Sequence, residues 1–224
     1  MNEKQLAGEK AAEFVKNGMT VGLGTGSTVY YTIRRIGEMV KEGLTIKAVS
    51  TSSSTTRLAE SLRIPLVSID EAGKLDLTID GADEVDPAFR GIKGGGGALF
   101  FEKIVAAASE RSIWVVGSDK LVDRLGRFPL PVEVVPFGYS QVYRRLFDKG
   151  LNPKLRMSGE NRYITDSGNY IIDLQLGAIG DPEALNDWLN GITGVVEHGL
   201  FLGMANAVVV ARQDIVEVKE RENG

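Results

Sequence analysis

Residues 80–103, DGADEVDPAFRGIKGGGGALFFEK, constrain the fold of this chain more than any other segment. They follow Leu75–Ile79, a short apolar run of the kind that forms a buried strand. They lead into ALFFEKIVAAA, in which apolar residues recur at helical spacing. Between the two lie glycines 94–97, which predict backbone that closely approaches another group or has a positive φ. The segment therefore predicts a strand, loop and helix, with Asp80 at the carboxyl end of the strand and Glu102 in the first turns of the helix.

The N-terminal half repeats this alternation of strand and helix. Residues 3–17 have apolar residues at helical spacing and end at Asn17-Gly18, a typical helix stop. MTVGL, at 19–23, precedes the glycine turn GTGST and an amphipathic helical pattern, VYYTIRRIGEMV. Ile64–Ile69 and SIWVVGSDK, at 112–120, are typical of further strands. This alternation predicts a mostly parallel sheet, in which ligands bind at the carboxyl ends of the strands.

A second pattern begins at Phe128. The order becomes strand, helix, strand, strand, helix, strand, which is typical of a ferredoxin-like α+β unit. We therefore predict a small domain at 128–203 and a catalytic α/β domain formed by 1–127 and 204–224. The last two strand patterns, ANAVVVAR and DIVEVKE, are expected to return to the first sheet.

Composition excludes several classes of site. The chain has no cysteine and one histidine, so neither thiolate chemistry nor a zinc site is expected. A Mg²⁺ ion held by Asp80 and Asp83 stays an alternative. A net charge of -4 argues against a nucleic-acid surface. There is no long uncharged apolar run, and MNEKQLAGEK lacks the apolar core of a signal peptide, so we expect no membrane association and a cytoplasmic location.

The turn GTGST at 24–28 predicts an anion site, because it joins a strand to the N-terminus of a helix. It lacks the acidic residue about 20 positions later that a dinucleotide fingerprint needs, and the Gly-Lys-Ser/Thr ending of a P-loop. A small phosphorylated ligand therefore fits better than NAD or ATP. The Ser/Thr run at 50–56 either adds a second hydroxyl wall or caps the following helix.

The residues of the central segment suit proton abstraction next to a carbonyl group. Glu102 is a candidate base, and Lys93 is a candidate positive group for the enediolate oxygen. The amides of glycines 94–96 and the helix N-terminus would stabilise the same charge without a metal. Asp80 and Asp83 would hold sugar hydroxyls and relay the proton that opens a sugar ring.

Four motifs, GTGST, DGADEVD, KGGGGAL followed by Glu102-Lys103, and FPLPVEVVPF, closely resemble the type A ribose-5-phosphate isomerase family along essentially the whole chain. The resemblance implies a Rossmann-like α/β/α domain, a small α+β domain and a homodimer. It also implies the cofactor-independent interconversion of ribose 5-phosphate and ribulose 5-phosphate in the non-oxidative pentose phosphate pathway, with Glu102 moving the proton between C2 and C1.

The resemblance further implies a set of substrate-binding positions. They are Thr25, Gly26, Ser27, Thr28, Asp80, Gly81, Ala82, Asp83, Lys93, Gly94, Gly95, Gly96 and Lys120, with Lys4 as a contact for the phosphate. Without the resemblance, Lys120 would be interpreted as a surface lysine.

One residue, Phe101, departs from the family pattern, and two other functions are alternatives to an isomerase. Phe101 stands where relatives often have an arginine, but all of the matched functional groups remain, so we expect activity to survive. A sugar-phosphate sensor would keep the phosphate loop but need not keep both Glu102 and Lys93. An amino-sugar phosphate deaminase or an acyl-CoA transferase is the other alternative, and a deaminase would be expected to use a histidine, for which His198 is poorly placed.

Overall fold

A computed structural model describes residues 2–221 of the chain. The helices are α1 Glu3–Ala12, α2 Val29–Lys41, α3 Ser53–Ser61, α4 Ile69–Ala72, α5 Leu99–Ala107, α6 Tyr139–Asp148 and α7 Pro182–Asn190, with a short 3₁₀ helix at Ser118–Lys120. The strands are β1 Thr20–Leu23, β2 Lys47–Ser50, β3 Leu77–Asp80, β4 Glu84–Val85, β5 Gly91–Ile92, β6 Ser112–Gly117, β7 Leu130–Val134, β8 Pro153–Leu155, β9 Met157–Ser158, β10 Asn161–Arg162, β11 Tyr170–Leu174, β12 Val195–His198, β13 Leu200–Phe201, β14 Ala207–Arg212 and β15 Ile215–Glu220. Among residues 2–221, no helix is both long and apolar enough to cross a bilayer.

The described chain forms two compact units. The first contains residues 2–82, 101–121 and 203–221, and the second contains residues 83–100 and 122–202. The chain therefore passes between units at Ala82-Asp83 and again at Phe100-Phe101, inside the segment that carries the predicted site. The domain boundaries predicted from the sequence stay a prediction.

A six-stranded sheet forms the centre of the first unit. Its strand order is β15-β14-β6-β3-β1-β2, and every neighbouring pair is parallel except β14 with β15. Strands β3 and β6 are buried along their whole length, which explains why their sequences are almost continuously apolar. The predicted Rossmann-like fold with a mostly parallel sheet is confirmed, as is the return of the last two strands to this sheet.

The second unit has its own sheet and core. Strands β12, β7, β11 and β8 form an antiparallel sheet in that order, and α6 and α7 complete the predicted β-α-β-β-α-β succession. A small three-stranded sheet, β13-β5-β4, lies in the same unit. The hairpin β9–β10 is an addition that the sequence analysis did not predict.

Three local predictions differ from the structure. Ile64–Ile69 forms only an isolated bridge from Leu66 to Ala48 before α4 begins, because Ser68 and Glu71 form a capping box that starts a helix there. The first helix ends at Ala12, before the predicted stop at 17–18. The final strand of the small domain is divided into β12 and β13 at Gly199, whose N–H donates to Pro131 O at 2.8 Å.

Candidate active site

Asp80 is the last residue of β3, as the sequence predicts, and its side chain is held against the β1–α2 turn. It is 2% exposed. Its Oδ1 accepts hydrogen bonds from the N–H groups of Thr25, at 3.0 Å, and Gly81, at 2.7 Å. A Cβ on Gly24 would lie 2.0 Å from the same oxygen, so only glycine fits beside this carboxylate. The two strand ends therefore fix both the position and the orientation of Asp80.

The Thr25 hydroxyl lies in a cluster of hydroxyl groups from the 50–56 run. Thr25 Oγ1 is 2.9 Å from Thr51 Oγ1, 2.8 Å from Ser52 Oγ and 3.2 Å from Thr55 Oγ1. Ser52 also caps α3, because its Oγ accepts from the Thr55 N–H at 3.1 Å. The Ser/Thr run thus has both of the roles that the sequence left open: it caps a helix and it lines the glycine turn with hydroxyls.

The rest of the turn forms the N-terminus of α2. Gly26 has a φ of 126°, and Gly26 and Ser27 are exposed. Thr28 is the N-cap residue of α2, but its side chain makes no capping hydrogen bond. Exposed amides and hydroxyls at a helix N-terminus favour an anion.

Helix α1 brings Lys4 to this turn. The Lys4 Nζ donates to Ser27 Oγ at 2.9 Å. The neighbouring Glu3 carboxylate accepts from the Gln213 N–H at 2.8 Å and from Ser118 Oγ at 3.2 Å, so the start of the helix is tied to other parts of the first unit. The Gln213 hydrogen bond is the main cause that lowers the pKa of Glu3, with a smaller contribution from Ser118. The start of α1 therefore holds the Lys4 ammonium group next to the turn at 24–28, the predicted phosphate loop.

Glu102 lies in the first turn of α5, as predicted, and is 5% exposed. The helix around it is strongly apolar, with Leu99 and Val105 buried. A carboxylate that is shielded from water near a helix N-terminus has the surroundings that a general base requires.

Lys120 ends the 3₁₀ helix that follows β6. Its Nζ is 3.5 Å from Asp119 Oδ2, and its side chain is about one-third exposed. The lysine therefore lies beyond the carboxyl end of a central strand, where a ligand could reach it.

In the second unit, Asp83 and the glycine run are hydrogen-bonded to each other. The Gly95 N–H donates to Asp83 Oδ2 at 2.8 Å, and the Asp83 N–H donates to Ile92 O at 2.8 Å. Gly94 and Gly97 have φ values of 104° and 80°, so the predicted positive φ is found at two of the four glycines. The acidic turn and the glycine loop thus form one local structure.

Lys93 is buried at the start of this loop. It is 2% exposed, its N–H donates to Gly199 O at 2.9 Å, and its Nζ lies 5.2 Å from the centre of the Phe201 ring. A Cβ on Gly199 would lie 2.2 Å from Lys93 O, so the backbone of Lys93 is tightly enclosed.

Three side chains that the sequence analysis missed support the loops of the second unit. Arg156 Nη1 donates to Gly94 O at 2.8 Å and to Gly95 O at 3.2 Å. Tyr163 OH donates to Gly96 O at 3.1 Å. The buried Glu84 carboxylate accepts from the N–H groups of residues 126 and 128, at 2.7 and 2.6 Å. Arg156 and Tyr163 carry no local sequence signal, because each lies about 60 residues from the glycines it contacts.

The predicted site residues are divided between the two units. The first unit holds Lys4, Thr25, Gly26, Ser27, Thr28, Asp80, Gly81, Ala82, Glu102 and Lys120, and the second holds Asp83, Lys93, Gly94, Gly95 and Gly96. Within the units, the structure brings Asp80 to the 24–28 turn, Lys4 to Ser27, and Asp83 to Gly95.

Comparisons with known proteins give one consistent answer. A family model for ribose 5-phosphate isomerase A (phosphoriboisomerase A) matches residues 47–215. Ribose-5-phosphate isomerase A of Streptococcus thermophilus is 55% identical over 97% of this chain and 98% of its own length. The protein of the same name from Streptococcus pneumoniae is 54% identical over 100% of this chain and 99% of its own.

Solved structures agree. A D-ribose-5-phosphate isomerase in complex with phospho-erythronic acid superposes with a TM-score of 0.94 at 39% identity, over 99% of this chain and 100% of that one. Ribose 5-phosphate isomerase from Plasmodium falciparum has a TM-score of 0.95 at 35% identity, over 98% of each chain. With sequence, fold and the four motifs in agreement over nearly the full length, the chain belongs to the ribose 5-phosphate isomerase A family.

Proposed function

We propose that this protein interconverts D-ribose 5-phosphate and D-ribulose 5-phosphate through an enediolate, as a cofactor-independent aldose-ketose isomerase of the non-oxidative pentose phosphate pathway. The observation that carries the proposal is the 55% identity to a ribose-5-phosphate isomerase A over nearly the whole of both chains. The phospho-erythronic acid bound in a structural relative is a phosphorylated sugar acid, which supports a substrate of the same chemical class.

Glu102 is proposed to move the proton. It takes the C2 proton from the open-chain aldehyde. The electron pair of that C–H bond forms the C1–C2 double bond of the enediolate while the π pair of the C1–O1 carbonyl group moves to O1. Glu102 then returns the proton to C1 as the C1–C2 double bond breaks and the C2–O2 carbonyl group forms. The hydroxyl proton on O2 is transferred to O1, so the product is the ketose and the atoms balance. The 5% exposure of Glu102 supports this role, because a carboxylate with few water contacts is a stronger base.

Lys93 and the amides of glycines 94–96 are proposed to stabilise negative charge on the enediolate oxygens. The 2% exposure of Lys93 supports this, because a cation that is shielded from water acts more strongly on a nearby anion. Asp80 and Asp83 are proposed to hold sugar hydroxyls and to relay the proton that opens the ring. Their fixed geometry, with backbone N–H groups donating to each carboxylate, supports a positioning role.

The turn at 24–28, with Lys4, is proposed to bind the phosphate group. Two features support this proposal: the turn forms the N-terminus of α2, and Lys4 Nζ lies 2.9 Å from Ser27 Oγ. Gly81, Ala82 and Lys120 are proposed as further substrate contacts, on the family resemblance.

The deaminase interpretation receives no support from His198. This histidine lies on β12 with 0% exposure, and its Nε2 is 3.1 Å from Asn190 Oδ1. Such surroundings are typical of a structural histidine in the core.

The decisive experiment follows ribulose 5-phosphate after ribose 5-phosphate is added to the purified protein in buffer containing EDTA. We expect conversion by the wild type and a loss of several orders of magnitude in kcat for Glu102→Gln, since the variant lacks the base. Glu110→Gln is the matched control, because Glu110 is exposed and pairs with Lys74 at 2.7 Å. Binding without conversion by the wild type would contradict the proposal and favour a sugar-phosphate sensor.

Two broader proposals rest on family membership alone. We propose that the protein is a homodimer and that it acts in the cytoplasm. Light scattering during gel filtration should give twice the mass of one chain, and a monomer at micromolar concentration would contradict the first proposal. Fractionation of the source cells tests the second, and recovery outside the cytoplasm would contradict it.

A further inference from the structure

Arg156 contacts the glycine loop through the loop's carbonyl groups. Its Nη1 donates to Gly94 O at 2.8 Å and to Gly95 O at 3.2 Å. The carbonyl of Gly94 belongs to the same peptide group as the N–H of Gly95, and the carbonyl of Gly95 to that of Gly96. The Gly95 N–H donates to Asp83 Oδ2 at 2.8 Å, and the Gly96 N–H is proposed to face the enediolate. The guanidinium group therefore binds the acceptor ends of one peptide group that holds Asp83 and of one that is proposed to face the substrate.

Asp173 holds the guanidinium group in this orientation. Arg156 Nε donates to Asp173 Oδ2 at 2.9 Å, and Nη2 donates to the other carboxylate oxygen, so the pair is bidentate. The two side chains are only 14% and 17% exposed, so solvent screens the pair less than a surface ion pair. The backbone is fixed as well, because the Arg156 N–H donates to Ile171 O at 2.8 Å.

Tyr163 completes the support of the loop. Its hydroxyl donates to Gly96 O at 3.1 Å, and its ring centre is 5.8 Å from the Arg156 guanidinium carbon. The Tyr163 hydroxyl is protonated at neutral pH, as in any tyrosine, and burial raises its pKa further from the ordinary value of 10. A Cβ on Gly97 would lie 2.2 Å from the Tyr163 oxygen, so the ring also excludes other residues at that position.

Two physical effects follow from these contacts. A run of four glycines has many accessible conformations, and three hydrogen bonds to successive carbonyl groups restrict it to one. A cation on a carbonyl oxygen also polarises the peptide group, so its N–H becomes a better donor. Hydrogen bonds that polarise one another in this way are strengthened by about 10–30% per bond. Both effects favour a loop that is arranged for an anion before the anion forms.

We propose that Arg156, oriented by Asp173, is a positioning residue that fixes the 94–96 loop. It strengthens the Gly95 N–H as a donor to Asp83 and the Gly96 N–H as a donor to the enediolate. The inference rests on the proposed isomerase function. Arg156 acts through the peptide groups and needs no contact with the substrate.

The test compares Arg156→Ala, Arg156→Lys and Arg156→Gln with the wild type in the ribose 5-phosphate assay. We expect Arg156→Ala to lower kcat by about 10- to 100-fold while KM changes by less than about threefold, because the loop acts mainly on the transition state. Arg156→Lys should recover only a small part of the loss, since an ammonium group cannot form the bidentate pair and still reach the carbonyl groups. Arg162→Ala is the matched control: Arg162 is an exposed arginine in the neighbouring hairpin and should leave kcat unchanged.

Chemical rescue separates positioning from a merely structural role. Guanidinium chloride at non-denaturing concentration should raise the turnover rate of Arg156→Ala at least about fivefold, and should not raise that of Glu102→Gln, which lacks the base. A wild-type turnover rate in Arg156→Ala, or reduced stability without a fall in kcat, would overturn the inference. So would a lower kcat that guanidinium fails to raise.

Hydrogen exchange keeps the inference testable independently of activity. We expect faster exchange of the amides at 94–97 in Arg156→Gln than in Arg162→Ala. If the wild type converts substrate but Arg156→Gln has unchanged amide exchange at 94–97 and an unchanged kcat, the role of Arg156 is wrong and the proposed function stands. If the wild type does not convert substrate, the proposed function fails, and the exchange experiment still decides whether Arg156 fixes the loop. If Arg156→Ala is insoluble, Asp173→Asn and Tyr163→Phe replace it in the test. Both variants should be soluble and have a lower kcat than the wild type, and an unchanged kcat in both would overturn the inference.

Discussion

Gly24 shows how a single missing side chain sets the geometry of an acidic residue. A Cβ at this position would lie 2.0 Å from Asp80 Oδ1 and 2.6 Å from Asp80 Cα, and the second atom belongs to a buried strand that cannot move easily. We therefore expect Gly24→Ala to displace the Asp80 carboxylate and to lower kcat/KM for ribose 5-phosphate by about 100-fold, since small misplacements in a site are costly.

Gly180→Ala is the control for Gly24→Ala. A Cβ on Gly180 meets open space and its φ is not positive, so this change should leave kcat/KM within about twofold. A Gly24→Ala enzyme with wild-type kcat/KM would show that Asp80 tolerates displacement, and its role in holding the substrate would then be wrong.

Phe101 is explained by its surroundings. With Ile104 and Val105 it forms one face of α5, and these residues line an apolar groove of about 280 Å³ together with Val49 and Val67. The next residue, Glu102, points about 100° away around the helix. The departure from the family pattern therefore concerns the packing of α5 and leaves the candidate base unchanged.

We expect Phe101→Arg, which restores the residue that relatives often carry, to keep kcat within about threefold of the wild type. Phe101→Ala should lower the free energy of unfolding by about 1–2 kcal/mol, less than for a fully buried phenylalanine because this side chain is half-buried. Steady-state kinetics and thermal melts measure the two effects. If either variant turned over substrate about two orders of magnitude more slowly than the wild type, Phe101 would have to act on Glu102.

At the scale of the element, α1 shows how a helix can be placed by small residues and one carboxylate. Its buried residues are Ala7, Gly8, Ala11 and Ala12. A Cβ on Gly8 would lie 2.8 Å from Tyr31 Cβ, so α1 and α2 approach closely. The Glu3 carboxylate then ties the start of the helix, next to Lys4, to Gln213 and Ser118.

The hydrogen bonds that the Glu3 carboxylate accepts should make part of the free energy of unfolding depend on pH. The pKa of Glu3 is lowered in the folded protein, mainly by the Gln213 hydrogen bond, so its ionised form stabilises the fold above the ordinary pKa of 4.5. That contribution is lost as the pH falls through the lower folded value. We expect Glu3→Gln to have a slightly lower Tm than the wild type at pH 7, and the difference to shrink as the pH falls below 4.5 and through the lower folded pKa. Thermal melts across this range measure it, and a Tm difference that is independent of pH would contradict the assignment.

The elements also show which parts of the site follow from sequence. Asp80 and Glu102 lie where predicted because each position depends on a local event, the end of a buried strand or the first turn of an apolar helix. The strand prediction for Ile64–Ile69 is wrong because it follows the apolar residues alone, although Ser68 and Glu71 carry the spacing of a capping box. The support by Arg156 and Tyr163 could not be predicted, because their contacts with the glycine loop span 61–67 residues and depend on tertiary structure.

At the scale of the whole molecule, the two C-terminal strands, β14 and β15, contribute unequally to the stability of the six-stranded sheet. Strand β14 lies inside the six-stranded sheet, parallel to β6, and Ala207–Ala211 are all buried. Ala207, Val209 and Ala211 belong to the same core as Ala7 and Ala11 of α1. Strand β15 is the edge strand, and its residues are mostly exposed.

Two truncations should therefore behave differently. A chain that ends at Leu202 lacks β14, exposes the buried β6 and one side of the α1 core, and should be unfolded or insoluble. A chain that ends at Arg212 lacks β15, the residues after it and the turn at 213–214, which includes the Gln213 N–H that donates to Glu3. It should fold with a loss of roughly 2–3 kcal/mol from the partly buried Val216 and Val218, and should keep isomerase activity at room temperature. Circular dichroism, thermal melts and the ribose 5-phosphate assay distinguish the two outcomes. A folded, active chain ending at Leu202 would mean that the sheet does not depend on β14 for its stability.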